Sequence, residues 1–254
     1  MKKGFFIVLI GLSLFVGCKN EISLSGFKAQ RIEINDSIPP NDDVEEFIIP
    51  FRNYVDSSLN AGISYSPSYY SKNNGELNTA IGNMMADAVM KQVKPVFKSR
   101  TGQTLDFVLL NHGGIRSTIS KGVITKRTAY EVMPFENEIV VVGMRGSQVE
   151  DLLFYLKSSK RAHPISKELE LILNKDYDIL SATVNGVTIN PDRIYYVATS
   201  DYLYDGGDRM NFFQPNELFI ELDYKIRNVL IDYFTATDTL RASIDKRFIR
   251  KTSR

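Results

Sequence analysis

The order in which helix and strand patterns follow one another is the feature that most constrains the fold. Residues 169–199 contain successive strand patterns, and Asn185-Gly186 is typical of a hairpin turn between two of them. Apolar residues at helical spacing precede this run over Asn78–Lys98 and over Ser147–Ser158. Because adjacent strands stand between helices, a strict alternation of strand and helix does not fit. The sequence therefore predicts an α+β fold with mixed α/β layers.

Shorter patterns predict the remaining elements. Helices are expected over Val44–Ser58, from Thr125 to before Pro134 and over Lys225–Phe234, and strands over Ala61–Ser66, Phe107–Leu110, Ile139–Met144, Leu218–Leu222 and Arg247–Ile249. Pro95 is expected to end or kink the long second helix, because proline lacks the backbone donor that a helix interior requires.

The first 18 residues have the pattern of an export signal. Lys2 and Lys3 give a short positive region, and the apolar run Phe5–Val16 leads to Gly17 and Cys18. This run is shorter than the roughly 20 residues that span a bilayer, which indicates a targeting segment. Its end resembles a bacterial lipoprotein cleavage box, which implies a signal peptide over residues 1–17 and lipidation of Cys18. A plain secretory signal with a chance cysteine is the alternative.

The segment after Cys18 is polar and ends near two prolines. We expect residues 18–41 to form a tether, extended near Pro39-Pro40, and residues 42–254 to form the folded domain. Removal of residues 1–17 takes away two lysines, leaving 29 basic and 30 acidic residues. This balance gives no electrostatic reason to expect nucleic acid as a partner.

The strand pattern that ends at Leu110 leads into a loop that contains two glycines. Asn111 stands at the end of the strand, Gly113-Gly114 permits close approach of the backbone, and Arg116 follows. A guanidinium offers five donors to phosphate or diol oxygens. A Gly-Gly turn of this kind is more often structural than functional, and it lacks the Gly-Lys-Ser/Thr ending of a P-loop.

Two further segments combine aromatic side chains with turns. Pro134 fixes the approach to Phe135, which is either core packing or an aromatic wall for a flat ligand. Tyr202 precedes Gly206-Gly207, and Asp208 follows. Asp208 is able to accept two hydrogen bonds from a sugar diol, although an acidic turn residue is most often simply solvated.

A fourth motif opens the second predicted helix. Gly82 permits close approach of its first turn, and Asn83 and Asp87 lie one turn apart on one face. Structural capping and packing explain this pattern as well as a binding role does.

In order and spacing, these four motifs resemble the C-terminal domain of the 5'-nucleotidase family, which includes UDP-sugar hydrolases and 2',3'-cyclic phosphodiesterases. The resemblance runs from about residue 42 to residue 240. The family pattern is a Gly-Asn-x-x-Ala-Asp-Ala helix, then Asn-Gly-Gly-Gly-Ile-Arg, Pro-Phe-Gly-Asn and Gly-Gly-Asp-Gly. It implies that this chain is the domain that holds the nucleoside part of a nucleotide.

The resemblance implies a role for individual side chains. Phe135 and Tyr202 match two rings that sandwich the base, and Asn111 matches the residue that reaches it. The implied substrate-binding set is Asn83, Asn111, Arg116, Phe135, Tyr202 and Asp208.

The sugar side of the implied site involves the other three residues. Asp208 matches the carboxylate that binds ribose hydroxyls, and Arg116 matches an arginine of the ribose and phosphate side. Asn83 occupies a helix-start position that is Arg in some family members and Asn in others.

Three positions depart from the family pattern. His112, Glu136 and Arg209 each stand where the pattern has glycine. Each is expected to add a side chain beside the pocket, which puts the identity of the ligand in doubt more than the fold.

Catalysis in this family belongs to a separate N-terminal metallophosphatase domain, in which two metal ions activate water. The only histidines here are His112 and His163, and no metal-ligand box is present. His163 is expected at the surface. The resemblance therefore implies no catalytic residue, metal or other cofactor in this chain, and divalent metals only in a partner metallophosphatase protein.

Three interpretations remain open. The chain is the substrate-recognition half of a split nucleotide hydrolase, a non-catalytic lipid-anchored nucleoside-binding module, or an interaction protein with a relic pocket. In each case lipidated Cys18 would hold it to a membrane of the bacterial cell envelope, facing the periplasm or the surface.

Overall fold

The computed structural model describes residues 26–251. Its helices are α1 (Asp42–Asn60), α2 (Ala80–Thr101), α3 (Lys126–Val132), α4 (Gly146–Ser159), α5 (Asp201–Tyr204) and α6 (Ile226–Thr235). Its strands are β1 (Gly62–Ser66), β2 (Phe107–Val108), β3 (Gly122–Thr125), β4 (Glu138–Arg145), β5 (Leu169–Leu173), β6 (Ile179–Val184), β7 (Val187–Thr188), β8 (Ile194–Ser200), β9 (Leu218–Lys225) and β10 (Phe248–Arg250).

The chain divides into two compact units, Met1–Ile48 and Ile49–Arg254. In the described part of the first unit, residues 26–41 form neither helix nor strand. The side chain of Asn41 then accepts a hydrogen bond from the Val44 amide at 3.1 Å, which caps the start of α1. The predicted signal peptide, Cys18 and the beginning of the tether lie outside the described residues. The boundaries at residues 17 and 41 stay predictions.

A four-stranded sheet in the order β2-β8-β4-β9 forms the centre of the second unit. β2 is parallel to β8, and β4 is antiparallel to both β8 and β9. Successive β4 residues enter different cores: Val141 packs with α2 and α6, and Val142 packs with α4. Because both faces of the strand are buried, its sequence is a continuous apolar run.

A second sheet, in the order β10-β5-β6-β7, packs on the α4 side. The predicted hairpin joins β6 to β7, and Asn185 and Gly186 have φ values of 51° and 75°. Two positive φ values in succession are what a tight two-residue hairpin turn requires. The layered arrangement confirms the predicted α+β fold.

Several predicted boundaries were wrong in detail. Pro95 lies inside α2, and the helix continues to Thr101, where Gly102 caps it in the left-handed conformation. The predicted strand Phe107–Leu110 is regular only over Phe107–Val108, because Leu109 forms a single bridge with Ile165. No helix within residues 26–251 has both the length and the apolar character needed to cross a membrane.

Candidate functional site

A cleft of about 310 Å³ lies where the chain leaves β2 and β8. These two strands are parallel, so the segments that follow them meet at the same edge of the sheet. The cleft is lined by five of the six predicted binding residues, Asn111, Arg116, Phe135, Tyr202 and Asp208, together with Gly113, Gly114 and Asn137. Its volume is within the range of small-molecule sites.

The Asp208 side chain is fixed by two hydrogen bonds. Its carboxylate accepts one from the Asn111 amide at 2.9 Å and one from the Tyr202 hydroxyl at 3.2 Å. Each carboxylate oxygen can accept more than one hydrogen bond, so the group keeps acceptor capacity for a ligand.

The backbone of Asp208 is held as well. Its amide donates to the Tyr202 hydroxyl at 3.3 Å, and its carbonyl accepts from the Tyr155 hydroxyl at 2.9 Å. Asp208 has a φ of 52°, which is uncommon for a residue other than glycine. The contact of Tyr155 with Asp208 was not predicted, because the two residues are 53 positions apart and only the fold brings them together.

The glycines of the two Gly-Gly turns make room for these contacts. A Cβ atom at Gly207 would overlap the Tyr202 carbonyl oxygen and would lie 2.5 Å from ring atoms of Tyr202. A Cβ atom at Gly114 would lie 2.7 Å from Oδ1 of Asn111. Both positions therefore require glycine if the side chains of Tyr202 and Asn111 are to keep their orientation.

Two aromatic rings and one guanidinium complete the cleft. Phe135 is 41% exposed and Tyr202 is 45% exposed, so both rings have surface that the protein leaves uncovered. The guanidinium carbon of Arg116 lies 5.8 Å from the centre of the Phe135 ring, which is within the range of a cation–π contact. The cleft thus offers flat apolar surface, a positive group and a carboxylate side by side.

Asn83 is the predicted site residue that the structure does not bring to this cleft. It is only 2% exposed, and its side-chain amide donates to Asn78 Oδ1 at 2.9 Å and to the Ser243 carbonyl at 3.0 Å. Asp87, one turn later, is paired with the buried Arg247. These contacts are the ones that the packing interpretation of the fourth motif predicts, and a binding role for Asn83 stays a prediction.

The three departures from glycine do not fill the cleft. Glu136 forms ion pairs with Lys225 and Arg227, both at 2.5 Å, and their hydrogen bonds lower the pKa of its carboxyl group. The His112 ring lies 3.3 Å from the Ala162 carbonyl and borders a neighbouring cleft. Arg209 is exposed and does not line the cleft. None of the three side chains lines this cleft, although His112 and Glu136 each stand between two residues that do.

The expectation that His163 is a surface residue was also wrong. It is 2% exposed, and its Nδ1 accepts a hydrogen bond from the His112 amide at 3.3 Å. Its ring lies 5.5 Å from that of Tyr155, and burial lowers its pKa to about 4. The following residues, Pro164 and Ile165, pair with the β2 segment and carry His163 inward.

One of the residues near the cleft that was not in the predicted set could have been found from the sequence. Asn137 belongs to the Pro-Phe-Glu-Asn segment, so its place in the cleft follows from the motif. Tyr155 and His163 carry no local signal. Over residues 26–251, no group of three or more His, Cys, Asp or Glu side chains is arranged to hold a metal ion.

Comparison with known proteins places the chain in a family. The model of the family "5'-nucleotidase, C-terminal domain" matches residues 59–215, which is more than half of the chain. Protein UshA of Escherichia coli strain K12 is 23% identical over 232 residues, covering 90% of this chain and 41% of UshA. Cell wall protein Lmo0130 of Listeria monocytogenes is 26% identical over 211 residues, covering 74% of this chain and 26% of that protein.

A solved structure shares the fold. The 5'-nucleotidase precursor from Thermus thermophilus superposes with a TM-score of 0.69 at 18% identity, covering 85% of this chain and 44% of that one. This chain therefore spans less than half the length of each of these three proteins. By the family match, the chain belongs to the family of 5'-nucleotidase C-terminal domains.

Proposed function

We propose that this domain recognises the nucleoside part of a nucleotide on behalf of a phosphoester hydrolase. The observation that carries the proposal is the arrangement of one cleft, in which the fixed Asp208 carboxylate lies with the exposed rings of Phe135 and Tyr202. Family membership supports the same assignment.

Each part of the cleft matches a part of a nucleoside. An aromatic ring that stacks on a base contributes about 1–3 kcal/mol, whichever base it is. Ribose hydroxyls are hydrogen-bond donors, and a carboxylate such as Asp208 is the acceptor that binds a diol most strongly. The guanidinium of Arg116 suits a phosphate or sugar oxygen beside them.

The nucleoside role is tested by calorimetric titration of the full chain with adenosine, AMP and UDP-glucose. We expect saturable binding of at least one of them that Asp208→Ala weakens. Asp205→Ala is the matched control, because Asp205 is an exposed acidic residue of the same turn that does not line the cleft. If the wild-type chain binds none of the three, the proposal fails.

We further propose that phosphoester hydrolysis depends on a metallophosphatase supplied by a separate chain. In such enzymes two metal ions activate water and stabilise the charge on the phosphate. This chain covers only 41% of UshA, so the remainder of that relative is long enough to contain a metallophosphatase part. A purified mixture of the two proteins should hydrolyse nucleotides faster than the metallophosphatase alone. No gain in rate would favour a non-catalytic nucleoside-binding module instead.

We propose a cell-envelope location, with Cys18 as the lipid anchor. The export pattern of residues 1–18 and the name of the cell wall protein from Listeria support this location. Metabolic labelling with a radioactive fatty acid tests the anchor. The label should enter the wild-type protein and be lost in Cys18→Ser, whereas a protein that is exported without label would contradict lipidation.

A further inference from the structure

A second cleft, of about 490 Å³, borders the same loop that carries Asn111 and Arg116. His112 lines it, whereas the residues on either side of His112 line the nucleoside cleft. The second cleft therefore adjoins the first and is built from different side chains.

The charged groups of the second cleft are mostly positive. Lys72, Lys160 and Arg161 line it together with a single carboxylate, that of Glu76. That carboxylate is already bound, by Arg250 at 2.7 Å and by the Tyr177 hydroxyl at 3.0 Å.

The three cations have no carboxylate of their own. Within residues 26–251, neither Lys72 nor Lys160 nor Arg161 forms an ion pair. Lys160 instead lies over the Tyr177 ring, with its ammonium 4.2 Å from the ring centre. The cleft thus holds a net positive charge that the protein does not neutralise.

Lys72 is the best-fixed of these groups. Its ammonium donates to the Ile115 carbonyl at 2.7 Å, which places it beside Arg116, the arginine of the first cleft. Burial and the neighbouring Arg116 lower the pKa of Lys72. An ammonium has three donors, so two remain for a ligand after the bond to Ile115.

The same cations also affect the pKa of the His112 ring. Burial lowers its pKa, a hydrogen bond to Ala162 opposes this, and the cations Lys72 and Arg161 lower it further. Cations from two separate segments, Lys72 in one and Lys160 with Arg161 in the other, therefore line one space. An anion that accepts several charged hydrogen bonds is a ligand that suits such a group of cations.

We propose that this second cleft binds a phosphate group. A phosphate dianion would accept from the Lys72 ammonium and the Arg161 guanidinium, with Lys160 adding charge at the rim. The site goes beyond the nucleoside cleft, and its binding of phosphate does not require a base or a ribose. The phosphate is either a free anion or the phosphate of a nucleotide held in the adjoining cleft.

The test is a calorimetric titration of the full chain with inorganic phosphate at low ionic strength, using sulfate-free buffer. We expect saturable binding that Lys72→Gln and Arg161→Gln each weaken about tenfold, since each removes a charged hydrogen bond. Lys121→Gln is the matched control: it removes the same charge from an exposed turn outside the cleft and should leave the affinity unchanged. Absence of saturable binding, or equal weakening by all three variants, would overturn the proposal.

Two further titrations separate the sources of the phosphate. If AMP binds more tightly than adenosine and Arg161→Gln removes the difference, the nucleotide supplies the phosphate. If AMP and adenosine bind equally and inorganic phosphate binds to the adenosine complex, the site takes a free anion. Both outcomes support the phosphate site. If phosphate binds and adenosine does not, the nucleoside role is refuted and the phosphate site stands. If adenosine binds and phosphate does not, the phosphate site is refuted and the nucleoside role stands.

Discussion

The side-chain amide of Asn111 donates a hydrogen bond of 2.9 Å to the carboxylate of Asp208, across 97 residues of sequence. The bond joins the loop after β2 to the turn after β8 and so connects two of the four sequence motifs. With the Tyr202 hydroxyl on the other carboxylate oxygen, it fixes the direction in which Asp208 faces the cleft. Because the acceptor is already held in place, less conformational entropy is lost when a ligand binds.

The aromatic walls give the first prediction. Phe135→Ala should weaken adenosine binding about fivefold to 150-fold, because a ring stacked on a base contributes about 1–3 kcal/mol. Calorimetric titration measures the change. Phe154→Ala is the control, since Phe154 is an exposed ring on α4 that does not line the cleft. Equal affinities for wild type and Phe135→Ala would contradict stacking at this position.

Asn83 gives the second prediction, which separates structure from binding. Asn83→Ala leaves the Ser243 carbonyl without its side-chain donor and removes one of the two hydrogen bonds that Asn78 Oδ1 accepts, so the free energy of unfolding should fall by about 1–3 kcal/mol. The affinity of the folded protein for adenosine should not change. Asn74→Ala, at an exposed loop position, should alter neither quantity. A loss of affinity without a loss of stability would return Asn83 to the binding site.

Local pattern was sufficient for much of the fold and for most of the candidate site. The residues that line the cleft follow strand ends and glycine turns, and these signals lie within a few positions of each residue. Asn111 and Asp208 could therefore be selected from the sequence, although their hydrogen bond could not.

The residues that sequence reasoning misplaced depend on distant contacts. His163 stands in a polar stretch, and the pairing of Pro164 and Ile165 with the segment after β2 places it in the interior. Asn83 lies on a helix face that suits either a ligand or a neighbouring segment, and the segment that it contacts lies 160 positions away along the chain. The extent of α2 beyond Pro95 likewise depends on packing, since Val93 and Phe97 on either side are fully buried.

Gly207 gives the third prediction. A methyl group there would overlap the Tyr202 carbonyl and ring, so Gly207→Ala should force Tyr202 to move. Overpacking of this kind costs about 1–3 kcal/mol of stability. Thermal unfolding should show the loss, and adenosine affinity should fall as well because the ring is displaced. Gly26→Ala, where a Cβ atom meets nothing within 4 Å, serves as the control. Unchanged stability and affinity in Gly207→Ala would contradict the close packing.

His163 gives the fourth prediction, which concerns pH. Burial lowers the pKa of His163 from 6.5 to about 4, so the unfolded chain binds a proton more readily than the folded one between these values. The free energy of unfolding should therefore fall as the pH falls from about 6.5 to about 4, by roughly 3 kcal/mol from this group. Denaturant unfolding of wild type and His163→Gln across this range measures it. The same slope in both proteins would contradict the assignment.

The most direct test of the nucleoside site compares adenosine with 2',3'-dideoxyadenosine, which lacks the ribose hydroxyls. The wild-type chain should bind adenosine at least about tenfold more tightly, since charged hydrogen bonds contribute about 1.5–3 kcal/mol. The variant Asp208→Asn, which keeps the shape of the side chain but removes its charge, should lose most of this preference. Equal binding of the two nucleosides by the wild-type chain would show that Asp208 does not hold the ribose.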